Sequence, residues 1–326
     1  MKVLLVGLGW FGKKHYNVWN DLGVEIVGVF EKKGFSISQN DEQSKYHKEV
    51  VEHTDISQIT FFDELKQLEK LDFDCVDITT NENSHFEYAK YFLRIGKKVI
   101  IEKPIALNYE EVKELRKIAL ENDTFFYAGH ILRFDSRTIE VKKRIKNFEL
   151  RFGKFERNFQ NQALKKYGSV PTLYTALIHD LDLFNFLFSP NLEEINEIQY
   201  KYLSNKNYQA DLVTAVSFKY NQALLLFSNC WLVSEVNEYG FISNYQLYSE
   251  TMNIEQQNTP DIKIYEKTLE VPDLFFWNHT YYPGGALRRM LNHYKKCIES
   301  NVESDIASMK SIENTYQLIH LILEKR

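Results

Sequence analysis

The chain has 326 residues, with 40 lysines and arginines against 45 aspartates and glutamates, a net charge of −5 and 44% hydrophobic residues. That length supports two domains with separate cores, and the acidic balance with short, scattered basic clusters excludes a nucleic-acid footprint. Cys75, Cys230 and Cys297 show neither zinc spacing nor a disulfide framework, and no run is long enough to span a bilayer, so a cytoplasmic protein without metal or membrane partner is expected.

The apolar run Val3, Leu4, Leu5 and Val6 predicts a strand, and Gly7, Gly9 and Gly12 follow it directly. Glycine supplies 13 of the 326 residues, well under the usual share of about 7%, so this cluster is a pattern rather than composition. In such a turn the first glycine permits the bend, the second lets backbone approach a pyrophosphate, and the third lets the helix pack on the strand. Phe11, His15, Val18 and Leu22 recur at helical spacing, with Gly23 placed as a stop. The start of that helix offers N–H groups and partial positive charge to a diphosphate. A strand over 24–30 then ends at Glu31, 19 residues beyond Gly12. A carboxylate there accepts hydrogen bonds from an adenosine ribose and repels a 2′-phosphate, which points to NAD. Lys32 and Lys33 offset part of that repulsion and leave NADP open.

Strand and helix patterns then alternate. Thr60 with Asp63 predicts a capped helix through Leu68, residues 75–78 a strand, 84–95 a helix stopped by Gly96, and 98–101 a strand. Asn108 and Glu111 cap a helix to Glu121, and 125–127 gives another strand. Such alternation winds a parallel sheet whose ligands bind beyond the carboxyl ends of the strands, which singles out Thr79, Thr80, Asn81 and the triplet Glu102-Lys103-Pro104. Proline holds Lys103 in an extended backbone. A lysine partly desolvated beside a cationic ring has its pKa lowered and can stabilise a developing alkoxide.

From His130 the rhythm changes. Helices are expected over 136–145 and 172–188 and strands over 148–160, 198–203, 212–220, 223–233, 245–256 and 262–269, before helices over 286–299 and 306–324. No helical pattern between the later strands is long enough for a crossover, so they predict an antiparallel sheet. The expected fold is α/β: a doubly wound parallel sheet over 1–123, then an α+β domain over 124–326 with a large open, mainly antiparallel sheet. On the helix over 172–188, Leu173, Leu177, Leu181, Phe184 and Phe188 share one stripe, with Thr175, His179 and Asp182 opposite. A neutral histidine can accept a hydroxyl proton near neutral pH. The basic clusters Lys13-Lys14, Lys97-Lys98, Lys142-Lys143-Arg144 and Arg288-Arg289 read as solvated faces, and Trp277, Tyr281 and Tyr282 as core packing.

Gly7-x-Gly9-x-x-Gly12-x-x-His15, Thr80 to His85 ahead of a helix, Gly96-Lys97-Lys98-Val99-Ile100-Ile101-Glu102-Lys103-Pro104, Gly129-His130-x-x-Arg133-Phe134 and His179-Asp180-Leu181-Asp182 occur in this order. Together they resemble the Gfo/Idh/MocA oxidoreductases over essentially the whole chain. The resemblance implies an N-terminal Rossmann domain and a tightly held nicotinamide cofactor. It further implies hydride transfer to or from a secondary hydroxyl or keto group of a sugar, cyclitol or sugar nucleotide, and a homodimer or homotetramer built through the C-terminal sheet. It casts Lys103 and His179 as catalytic. It places Gly7, Gly9, Trp10, Phe11, Gly12, Glu31, Thr79, Thr80, Asn81, His85, Glu102 and Lys103 at the cofactor, and His130, Arg133 and Tyr174 at the substrate. Relatives carry an aspartate four residues before the histidine; here Thr175 takes that catalytic position without a charge, with Tyr174 and Asp182 as nearby groups to compensate. Relatives commonly have proline where Asn81 stands. Two other readings remain: a dinucleotide-binding regulator without catalysis, motivated by Thr175, and a reductase of imines or small carbonyls.

Overall fold

Strand β1 (Lys2–Val6) is buried from Val3 to Val6, as the centre of a sheet covered on both faces requires. The computed structural model describes residues 1–31, 56–234, 241–257, 262–265, 269–270 and 285–326; the expectations at Lys32, Lys33, Trp277, Tyr281 and Tyr282 lie outside the described residues. Helix α1 (Trp10–Asp21) leads to β2 (Glu25–Phe30) and, further on, β3 (Phe61–Phe62). β4 (Cys75–Ile78), α2 (Glu82–Arg94), β5 (Lys98–Ile101), α3 (Tyr109–Glu121) and β6 (Phe126–Ala128) complete the alternation. All pairings are parallel, and the six strands run β3-β2-β1-β4-β5-β6, so the winding reverses between β1 and β4. Ligands of doubly wound sheets bind at the carboxyl end of that crevice.

The helix expected from Thr60 and Asp63 begins later. The Thr60 carbonyl is taken by the Val29 N–H at 2.9 Å, which draws residues 61–62 into the sheet, and a short 3₁₀ helix (Leu65–Lys70) starts instead from a capping box between Glu64 and Gln67.

After α4 (Ser136–Arg144), the second sheet is built from β7 (Phe152–Gln160), β8 (Ile195–Leu203), β9 (Val213–Tyr220), β10 (Ala223–Val233), β11 (Phe241–Tyr248), β12 (Asn253–Gln256), β13 (Ile262–Tyr265) and β14 (Leu269–Glu270). Its order is β14-β13-β12-β11-β7-β10-β9-β8. Among the described residues every pairing is antiparallel except β10 with β7, so the sheet is mainly antiparallel as expected. The chain between those two strands contains α5 (Leu164–Tyr167) and α6 (Ile178–Phe188), which supply the crossover a parallel pair needs. The expected single strand over 245–256 is a hairpin, because Ser249 Oγ accepts the N–H groups of Thr251 and Met252 and turns the chain. On the inner face Phe155 and Phe227 stack at 4.8 Å, Phe218 lies 5.3 Å from Phe227, and Phe184 of α6 meets Phe218 edge-on.

The chain gathers into two compact units, Met1–Ile131 with Trp277–Lys310, and Leu132–Phe276 with Ser311–Arg326. A division at 123/124 would sever β6 from the sheet it completes. The first unit also takes in α7 (Ala286–Glu299), which packs on α1, while α8 (Met309–Leu323) follows near the end. Among the described residues no helix is long and apolar enough to cross a membrane, and no group of histidine, cysteine, aspartate and glutamate side chains is arranged for a metal ion.

Candidate active site

The three glycines of the first turn are held there for different reasons. Gly7 has φ +92°, and a Cβ on it would lie 2.8 Å from Thr80 Cγ2. A Cβ on Gly12 would lie 2.4 Å from the Gly7 carbonyl oxygen, which also accepts the Thr79 hydroxyl at 2.8 Å. The fold itself therefore demands both residues. At Gly9, φ is −65°, open to any residue, and a Cβ would meet nothing within 4 Å. Among the described residues nothing requires glycine there, whereas a pyrophosphate laid on the backbone does. Helix α1 starts at this residue with no side-chain cap and no acid in its first turn, an N-terminus suited to an anion.

Trp10 and Phe11 open the helix with ring centroids 5.5 Å apart, and the Lys14 ammonium sits 3.9 Å over the Trp10 ring. Lys13 and Lys14 are both buried, which corrects the solvated-face reading: long aliphatic stems can cover apolar surface as well as face water. Glu31 reaches the same turn, its carboxylate accepting the Leu8 N–H at 2.8 Å.

The ends of β4 and β5 supply the next group. Asn81 caps α2 by accepting the Asn83 N–H, a bond the commoner proline could not make. His85 is buried, with Nδ1 2.7 Å from the Pro104 carbonyl and Nε2 2.9 Å from the Thr80 carbonyl. Both ring nitrogens face main-chain oxygens, so His85 braces two loops rather than presenting itself to a cofactor. Lys103 is half-buried and joined to Pro104 by a cis peptide. Its N–H donates to Glu102 Oε2 at 3.2 Å.

Beneath these loops lies a charge cluster that sequence reasoning missed. His15 Nδ1 lies 2.8 Å from Asp77 Oδ2, which also accepts the Trp19 Nε1–H at 2.7 Å, and His15 Nε2 lies 3.3 Å from Glu102 Oε1. His15 and Asp77 are completely buried. Burial alone would depress the His15 pKa, but the adjoining Asp77 and Glu102 carboxylates outweigh it and push it up to about 10. Glu102, expected at the cofactor, packs its carboxylate on Gly129, where a Cβ would come within 2.4 Å of Oε1. The signal was Asp77 itself: an acid inside an apolar strand of a sheet covered on both faces must find a partner.

In the second unit, Leu173–Leu177 forms a π-helical turn that runs into α6, and of residues 172–187 only His179 is not buried. The grouping of Thr175, His179 and Asp182 on one side therefore does not hold as a uniform face, since the first and last are buried and His179 is half-buried. The wider turn breaks the 100° step that defined it, and Asp182 points into the protein. Arg133, expected at the substrate, is wholly buried: its Nε and Nη2 meet Asp182 at 2.9 and 2.6 Å, and its Nη1 meets Ser311 Oγ at 2.9 Å. A guanidinium so enclosed holds the fold and offers substrate no surface. Asp182 also accepts the Thr315 hydroxyl at 2.8 Å. Thr175 is buried, Tyr174 stacks 6.2 Å from Tyr316, and Asp180, next to His179, pairs with Arg157 at 2.9 and 3.0 Å. His130, in the first unit, is buried as well.

Residues 1–130 match a family model described as an oxidoreductase family with an NAD-binding Rossmann fold. An uncharacterized oxidoreductase of Streptococcus pneumoniae serotype 4 is 31% identical over 147 residues, 44% of this chain and 36% of that protein. An inositol 2-dehydrogenase of Salmonella typhimurium is 23% identical over 202 residues, 60% of this chain and 56% of that one. The matches thus span less than two thirds of these curated relatives. A solved structure of UDP-N-acetylglucosamine 3-dehydrogenase GnnA from Acidithiobacillus ferrooxidans shares the fold, with a TM-score of 0.77 and 18% identity over 100% of this chain and 97% of that one.

Proposed function

From the premise that residues 1–130 belong to the Gfo/Idh/MocA oxidoreductases, with their NAD-binding Rossmann fold, we propose that the chain is a dehydrogenase or reductase acting on a secondary hydroxyl or keto group of a sugar, cyclitol or sugar nucleotide. The observation that carries this reading is Gly9, a glycine that no described neighbour requires, at the uncapped start of α1. Gly7, Gly9, Gly12 and the first N–H groups of α1 would hold the diphosphate, and Glu31 beside Leu8 would take the adenosine ribose, favouring NAD over NADP. A bound nicotinamide supplies or accepts the hydride.

The chain's own residues handle the proton and the charge. In the oxidising direction His179, in the second unit, would accept a hydroxyl proton, and the Lys103 ammonium, in the first, would stabilise an oxygen that gathers negative charge. In the reducing direction His179 would return that proton to the carbonyl oxygen. Thr175 adds a hydroxyl in place of a charge to the turn before His179. The exposed Leu224 and Leu232 of β10 support a homodimer or homotetramer built on the second sheet, and free cysteines agree with a cytoplasmic setting.

The test is a screen of sugars, cyclitols and sugar nucleotides that follows NADH absorbance. Lys103→Ala is expected to lower turnover about 100-fold or more with dinucleotide affinity nearly intact. Undiminished turnover in that variant removes Lys103 from the chemistry. Binding of NADH without turnover of any substrate favours the regulator reading instead.

A further inference from the structure

The backbone of Lys103 is gripped from both sides. Downstream, the Pro104 carbonyl lies 2.7 Å from His85 Nδ1, whose other nitrogen faces the Thr80 carbonyl at 2.9 Å. Upstream, the Lys103 N–H donates to Glu102 Oε2, and the other oxygen of that carboxylate lies 3.3 Å from His15 Nε2. His15 is anchored in turn by Asp77, which stands in register with Leu5 of β1 and Ile100 of β5. A continuous line of polar contacts therefore runs from the middle of the parallel sheet, through the first helix, to the lysine's own peptide.

We propose that His15 is a positioning residue for Lys103: as an imidazolium it fixes the Glu102 carboxylate against the Lys103 N–H, so the first helix, rather than the loop alone, sets where the lysine side chain begins. This rests on the role given to Lys103 above. Glu102 cannot take up the position by packing alone, because its carboxylate lies on bare Gly129 and, without a cation beneath it, would be a buried charge drawn toward water.

Stability alone does not explain the cluster. One cation serves two acids, and His15 Nε2, Asp77 Oδ1 and Glu102 Oε1 lack well-formed hydrogen bonds. Well-packed apolar side chains of the same volume are often at least as stable as such an arrangement. Facing His15 are Asp77 from β4, Glu102 from the end of β5 and Phe11 from its own helix, the Phe11 ring centroid at 5.1 Å, while Trp19 meets the same Asp77 oxygen. The Cys75 thiol also lies within the field of Asp77 and is pushed well up, by burial first and by that charge second. With two carboxylates and, among the described residues, no cation against it, the ring carries its proton at neutral pH.

The full chain with His15→Gln, which keeps a donor and loses the charge, tests this. Amide exchange at Lys103 should quicken about 10-fold or more while Val99 and Ile100 in β5 stay protected. Dinucleotide affinity should remain within about 3-fold, and kcat should fall about 10-fold or more with KM little changed. An unaltered Lys103 amide, or β5 amides exchanging along with it, overturns the proposal; the second result makes His15 a general stabiliser. If His15→Gln does not fold, Glu102→Gln keeps the acceptor oxygen and size and is read at the same amide. Should the unsubstituted protein turn over no substrate, the functional reading fails, while the amide measurement on the ligand-free protein still decides the role of His15.

Discussion

In the second unit Arg133 meets Asp182 and Arg157 meets Asp180, each guanidinium facing its own carboxylate through two N–H donors, whereas in the first unit Asp77 and Glu102 share the single imidazole of His15. The forked pairs match in shape and count, and arginine keeps its charge at any working pH. They tie α6 to the residues around Arg133 and to β7 and act as fixed struts. The shared histidine has a charge that can be removed within reach of experiment. Structural charge is thus paired one to one, and the shared, titratable charge lies under the loop that carries the candidate lysine.

The contrast is broken most directly at Asp182. Asp182→Ala leaves Arg133 buried without its acid and should cost about 3–5 kcal/mol, read as a lower midpoint in denaturant or calorimetric unfolding. Joint replacement by residues of similar volume, Arg133→Met with Asp182→Leu, should recover most of that loss. A fall of less than about 1 kcal/mol in the single variant would mean that this pair behaves like a surface one, and the distinction between struts and shared charge would go.

A smaller effect, dependent on pH, sharpens the other side. The His15 pKa rises on folding from 6.5 to about 10, so folding takes up a proton between those values. Its contribution to stability is complete below pH 6.5 and is lost as pH climbs toward 10. The thermal midpoint of the protein should therefore fall across that window, and the midpoint of His15→Gln should fall less. Parallel profiles for the two proteins contradict a charged His15 in the folded state.

Much of the first unit is legible in the residues because local and global signals agree there. Glycine spacing, apolar runs and the Asn108 cap all point to one winding, and the strands form the expected parallel sheet. The second unit is less legible. The parallel pairing of β7 with β10 depends on strands far apart in sequence, and the π turn at 173–177 defeats a wheel drawn for a regular helix. The site divides in the same way. Gly7, Gly12, Thr79 and Glu31 meet at one turn as their spacing suggests. Arg133 and His85, polar and embedded in motifs, looked functional but are consumed by buried partners, which spacing along the chain does not reveal. Asp77 was passed over because a single acid in a strand carries no periodic signal, although its burial forces a partner.

The central claim, that a nicotinamide dinucleotide lies on the first turn, meets its most direct test in calorimetric titration of NADH into the unsubstituted protein and Gly9→Ala. Since an alanine methyl there touches no protein atom within 4 Å and the backbone is ordinary for alanine, the variant should keep its unfolding midpoint yet bind NADH about 10-fold more weakly or worse. Equal affinity in both proteins, or no uptake of NADH by either, would contradict the account.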